Sequence, residues 1–342
     1  MKVSGVGFLL FLSLSWNTFS QACSESVLLA TPGKWTEGMK GSTSGISAAD
    51  LAREKVIVGT IHKIVLQGYK PQGVDADYNG VYYRSEAARS ANMFGYNLRF
   101  MPYVCRENAI EKAHETNTSL SITANQIPFG PEIYEPFIDS SPWDAGFRSM
   151  RKMPVDKGGI YYFVEETGLG FGVRGMQYTW LITYEDKLPF LYVSKKEFLE
   201  KKRAKLTAGK EQEINTIKST YTTRPKAEQD AMLQKSVKGF EAALAKVEAY
   251  LKLPDDELTK PAVVKQDPND FLSHLFTTPD DRFANILIKP NPGYFNKKLP
   301  LSSPQFITVV LQGDEKNPIL GKAMKDMQQG LDFGKLKAML GK

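Results

Sequence analysis

Cysteine is almost missing from this chain: Cys23 and Cys105 are the two it has. Histidine is confined to His62, His114 and His274, at unrelated places, so a three-histidine metal site would consume every one of them. Beyond the first two dozen residues no apolar run nears the roughly 20 residues a membrane helix requires. Internal repeats and low-complexity tracts are also missing, which excludes repeat arrays. No basic-aromatic recognition motif is present, which sets nucleic acid aside as a partner. What remains is an ordinary globular composition, 42% apolar and 24% charged, which argues against disordered and fibrous classes.

The N-terminus carries the clearest signal. Lys2 gives a positive start, residues 6–14 (VGFLLFLSL) an apolar centre, and Ser20-Gln21-Ala22 a small-residue cleavage site. That order reads as a secretory signal peptide over residues 1–22, so the mature chain is expected to begin at Cys23 outside the cytoplasm. In an oxidising compartment Cys23 and Cys105 are expected to form one bridge. A second reading puts a lipid on Cys23 as the new terminus. The segment resembles a bacterial lipoprotein signal, with Ser20 where that pattern carries Leu. The net charge of +6 reads as a solvated surface, with anionic envelope surfaces as the alternative.

Composition divides the mature chain into a strand-rich part (23–193), a helical hairpin (194–253) and a C-terminal α+β segment (254–342). Residues 56–66 (VIVGTIHKIVL) read as a strand from their β-branched content. Further strands are expected at 98–105, 120–123, 159–165, 176–184 and 189–193, with Glu185-Asp186 joining the last two as a tight hairpin. Prolines 128, 131, 136, 142 and 154 mark an irregular region. Ser194 and Glu197 form a capping box for a first helix that ends before Pro225. In a second helix Leu233, Val237, Phe240, Leu244, Val247 and Leu251 share one seam, matched by Leu199, Leu206, Ile214, Ile217 and Tyr221 in the first. Strands at 283–289 and 305–312 and a terminal helix interrupted near Gly330 follow. They are expected to pack back on the N-terminal sheet, since a two-stranded piece alone is marginal. The fold class is therefore α+β: a sheet-rich body with a long antiparallel helical hairpin.

The sharpest local motif is Asp75-Ala76-Asp77-Tyr78-Asn79-Gly80 with Glu86. It resembles the calcium loop of EF-hand proteins at every pattern position, which implies ligation by Asp75, Asp77, Asn79, the Val81 carbonyl and Glu86. No entering helix and no second loop accompany it. The competing reading is a tight turn at Asn79-Gly80.

The glycine-rich stretch 168–175 (GLGFGVRG) runs into the strand expected at 176–184, so it reads as a hairpin tip rather than a nucleotide loop. Thr43 stands where a nucleophile elbow needs serine. His114-Glu115 lacks the second histidine of a zinc helix, Thr118 standing in its place. Trp35, Trp143 and Trp180 offer either a sugar- or peptide-binding platform or core or interface filler. These readings together predict an exported, non-catalytic envelope or extracellular protein that binds a protein or polysaccharide partner, with calcium as a candidate cofactor. A secreted hydrolase with a calcium-stabilised fold is the alternative.

Overall fold

The computed structural model describes residues 23–39, 41, 43, 45–82, 91–126, 147–170, 172–184, 187–291 and 293–342. The signal-peptide assignment, Glu86, Trp143, the Glu185-Asp186 connection and prolines 128 to 142 lie outside them. The fold is α+β, arranged as two sheets stacked between two helical layers.

The larger sheet runs in the order β1 (Trp35–Glu37), β2 (Val74–Tyr82), β3 (Phe94–Arg106), β5 (Ser119–Ala124), β14 (Ile307–Gly313), β9 (Arg174–Ile182), β8 (Ile160–Gly168) and β7 (Val155–Asp156), while β4 (Ala109–Lys112) pairs with the far end of β3. Strand β14, near the C-terminus, thus occupies the middle of a sheet otherwise drawn from residues 35–182. Alternation assigns the two faces. Leu98, Phe100, Leu120, Ile122, Val309 and Leu311 point to one side and are fully or almost fully buried. That side is covered by α2 (Ala48–Gly68) and α6 (Pro318–Gly330), with α1 (Glu25–Ala30) and α7 (Phe333–Lys337) at the margins.

Helix α2 corrects the strand expected at 56–66. Its apolar residues Ile57, Val58, Ile61, Ile64 and Val65 recur at helical spacing and are the ones buried. Ser47 accepts the Asp50 amide as N-cap, which fixes the start. Tertiary burial of that stripe outweighs the modest β preference of its Val and Ile residues. Where α2 and α6 end they touch backbone to backbone: a Cβ on Gly330 would lie 1.8 Å from the Gly68 carbonyl oxygen.

The smaller sheet contains β10 (Phe190–Tyr192), β13 (Asn285–Pro290), β11 (Val263–Asp267) and β12 (Asp270–Phe276), with β6 (Arg148–Met150) paired to β13. One face, through Val263, Ile286 and Ile288, packs on Tyr161 and Leu181 of the larger sheet. The other, through Val264, Leu272 and Leu287, packs on α3 (Lys195–Thr220) and α4 (Lys226–Tyr250). These helices form the expected antiparallel hairpin, with Ser194 capping α3. Phe240 and Val247 are buried at its base. Strands β9 and β10 lie in different sheets, so they do not form the hairpin expected across 185–186. Likewise β13 belongs to the smaller sheet, and β14 alone of the two C-terminal candidates joins the larger one.

Candidate functional site

The smaller sheet covers one end of the larger sheet's second face and leaves the rest open. The register shows what that open face carries. Asp77 lies opposite Arg99, Arg99 opposite Ser119, and Ser119 opposite Gln312. Gln312 then faces Gln177, and Gln177 faces Glu165. This is an unbroken polar row across β2, β3, β5, β14, β9 and β8. Two residues along each strand, Asn79, Asn97 and Ser121 make a second, shorter row on the same side. The sheet is therefore apolar toward α2 and α6 and polar toward the open side, as expected of a sheet with one solvated face.

Above these rows lies a cavity of about 700 Å³. Its floor is Asn79, Asn97, Arg99, Ser119, Ser121 and Gln312, and its walls include Thr116 and Asn117, Met39 and Gly41, and Gly168 and Leu169. The last pair belongs to the β8–β9 hairpin tip that the glycine-rich stretch predicted, with Gly168 paired to Arg174. A second cavity of about 450 Å³ shares Gly41 and Asn79 with the first but lies at the β2 edge toward α2, where Glu37, Thr43, Lys55 and Tyr82 line it. The floor is partly self-bonded: Ser121 Oγ lies 2.8 Å from Asn97 Oδ1. Gln177 Nε2 donates to Glu165 Oε1 at 3.2 Å just beyond the cavity.

Asp75, Asp77, Asn79 and Val81 all lie in β2. Asn79-Gly80 is strand interior, paired with Asn97 and Tyr96, so the tight turn expected there does not form. The tight turn of this region is Glu107-Asn108, between β3 and β4, where φ is 50° and 63°, the left-handed pair a two-residue hairpin loop favours. An extended strand spaces alternate side chains about 6.6 Å apart along one face instead of curling them around an ion. Lys112, on β4, supplies the positive charge. Its Nζ donates to Asp77 Oδ1 and Oδ2 at 2.7 and 2.9 Å and stands 3.7 Å from Asp75 Oδ2. Asp75 Oδ1 also accepts from the Lys34 amide at 2.8 Å and the Tyr103 hydroxyl at 2.5 Å. Burial and that carboxylate push the Tyr103 hydroxyl up to about 12. Among the described residues no group of three or more His, Cys, Asp or Glu is placed to hold a metal.

Cys23 is bonded to Cys105, with Cα atoms 5.8 Å apart. The bond engages the Cys23 sulfur that a lipid would need, and it ties the segment ahead of α1 to the β3–β4 hairpin carrying Lys112. Trp35 packs against His62, Tyr69 and Tyr78, and Trp180 against Tyr162, Tyr178 and Phe333. Both tryptophans border the helix-covered core, so neither forms a platform in the cleft. His62 Nδ1 lies 3.1 Å from the Tyr96 hydroxyl, and burial lowers its pKa.

Behind the Tyr82 wall, Glu54 of α2 is fully buried. Its Oε1 accepts from Asn92 Nδ2 at 2.8 Å, and its Oε2 has no hydrogen-bond partner among the described residues. Burial pushes this carboxyl up to about 7, with the Asn92 bond opposing and Asp50 reinforcing the rise.

Sequence reasoning named Asn79 but missed Asn97, Arg99, Ser119, Ser121 and Gln312. The local signal was the alternation of Asn97 and Arg99 with Tyr96, Leu98 and Phe100. No local pattern reveals that β14, nearly two hundred residues downstream, completes the row. No helix among the described residues is long and apolar enough to cross a membrane. No family model matches the chain, and no curated protein or solved structure matches it.

Proposed function

We propose that this chain is an exported, non-catalytic binding protein of the cell envelope or extracellular space, and that it holds a hydroxyl-rich polar ligand on the open face of its larger sheet. The observation that carries this reading is the pair of polar rows flooring a cavity of about 700 Å³. Amides and hydroxyls both donate and accept hydrogen bonds, so this floor suits a ligand that does the same, above all a saccharide. The Cys23–Cys105 bond accords with an oxidising compartment, as the N-terminal signal does.

The hydrolase alternative draws less support. Glycoside hydrolysis by the usual route needs two carboxyl groups flanking the scissile bond, and the described lining of the larger cavity contains no Asp or Glu. Nor do α3 and α4 carry a large exposed apolar residue among those described, so the hairpin offers no greasy stripe for a protein partner. Calcium is a separate proposal. An ion on Asp75 and Asp77 would have to displace the Lys112 ammonium.

The reading is tested by thermal melting of the mature protein with neutral and uronic-acid oligosaccharides, alongside a variant with the cavity floor blocked, Asn97→Leu with Ser121→Leu. A ligand at about a hundredfold over its dissociation constant should stabilise the native state by about 2.7 kcal/mol. The blocked variant, still folded, should show no shift. An equal shift in both proteins would place binding elsewhere.

A further inference from the structure

Arg99 is the one charged residue among the described lining of the larger cavity, and it is exposed. Its direct cross-strand neighbour is Asp77. Opposite charges so placed would ordinarily pair. Here both Asp77 oxygens are taken by Lys112, at 2.7 and 2.9 Å, and no ion pair to Arg99 is found among the described residues. Lys112 thus leaves the Arg99 guanidinium available to the cleft. Around it stand neutral amides and hydroxyls, those of Asn97, Asn117, Ser119 and Gln312.

A planar five-donor cation surrounded by such groups matches a ligand that joins a carboxylate to a run of hydroxyls. A cavity of about 700 Å³ gives room for more than a single sugar ring. We infer that the ligand of this cleft is an acidic oligosaccharide whose carboxylate is received by Arg99, with Lys112 acting as a positioning residue that keeps Asp77 off that arginine. The inference rests on the reading of the cleft as a ligand-binding face and adds the ligand's charge and the residue that reads it.

Calorimetric titration with a galacturonic-acid tetramer and a neutral galactose tetramer tests it. A charge-assisted, desolvated carboxylate contact should make the acidic tetramer bind about tenfold tighter. Arg99→Gln should abolish that preference, the acidic tetramer losing about tenfold more affinity than the neutral one. Lys112→Gln should reduce the preference as well, because the released Asp77 then competes for Arg99, and melting curves verify that both variants fold. Arg99→Lys should recover part of the preference, since it restores charge without the fork. Equal affinity for the two tetramers overturns the inference and leaves the binding reading standing. An acidic preference unaffected by Arg99→Gln also overturns it, because the charge is then read elsewhere. Binding of neither tetramer overturns both.

Discussion

At the scale of single residues, two carboxylate sites show how neighbours decide what an acid does. Glu54 is fully buried with one oxygen lacking a partner among the described residues, and its pKa rises to about 7. The unfolded chain releases this proton near 4.5. Between those values the native state therefore holds more protons than the unfolded one. Its contribution is fully present below about pH 4.5 and is lost as pH rises toward 7, up to about 3 kcal/mol. Urea unfolding at pH 5 and pH 8 should show the wild type losing stability across that interval by more than Glu54→Gln does. Identical pH dependence in the two proteins would refute this role for Glu54. The oxygens of Asp75 and Asp77, by contrast, are engaged by Lys112, the Tyr103 hydroxyl and the Lys34 amide. Because an ammonium already bridges the pair, 10 mM calcium and 10 mM magnesium should change the melting temperature equally. A calcium-specific rise removed by Asp77→Asn would show instead that the ion displaces Lys112.

At the scale of elements, the helical hairpin and the α2–α6 junction are the informative cases. The hairpin was readable because its seam repeats at spacings of three and four, and because Ser194 and Pro225 punctuate it. Only its base is buried against the smaller sheet, through Phe198, Leu199, Phe240 and Val247. Phe240→Ala should consequently cost about 3–5 kcal/mol, whereas truncating the half-buried Leu233 farther out should cost markedly less. Equal costs would mean that the distal half is packed as well as the base. Gly330→Ala should also destabilise strongly, since its Cβ would meet the Gly68 carbonyl, and a melting curve decides it. Helix α2 was illegible for a physical reason. Its Val and Ile residues favour strands locally, and only the stripe from Ile57 to Val65 beneath the sheet reveals the helical period. Asn79-Gly80 misled in the same way. The dipeptide favours turns, yet pairing with Tyr96 and Asn97 on β3 holds it extended.

For the whole molecule, the stacking of two sheets between helical layers creates the open polar face. Each strand that builds it shows period-two alternation that sequence can suggest. The site itself arises from register between segments as distant as β2 and β14, and no local pattern encodes register between distant strands. The disulfide acts at this scale too. Joining residues 82 apart, it should contribute about 4 kcal/mol by restricting the unfolded chain, and it anchors the hairpin on which Lys112 stands. The proposed binding surface is the open sheet face and not the helical hairpin. Side-chain amide resonances test this most directly, because Asn79, Asn97, Asn117 and Gln312 line the cleft while Gln212 and Gln234 lie on α3 and α4. On titration with the galacturonic-acid tetramer the cleft amides should shift together along one binding curve, with Gln212 and Gln234 unmoved. Shifts confined to the hairpin glutamines, with a silent cleft, would contradict the account.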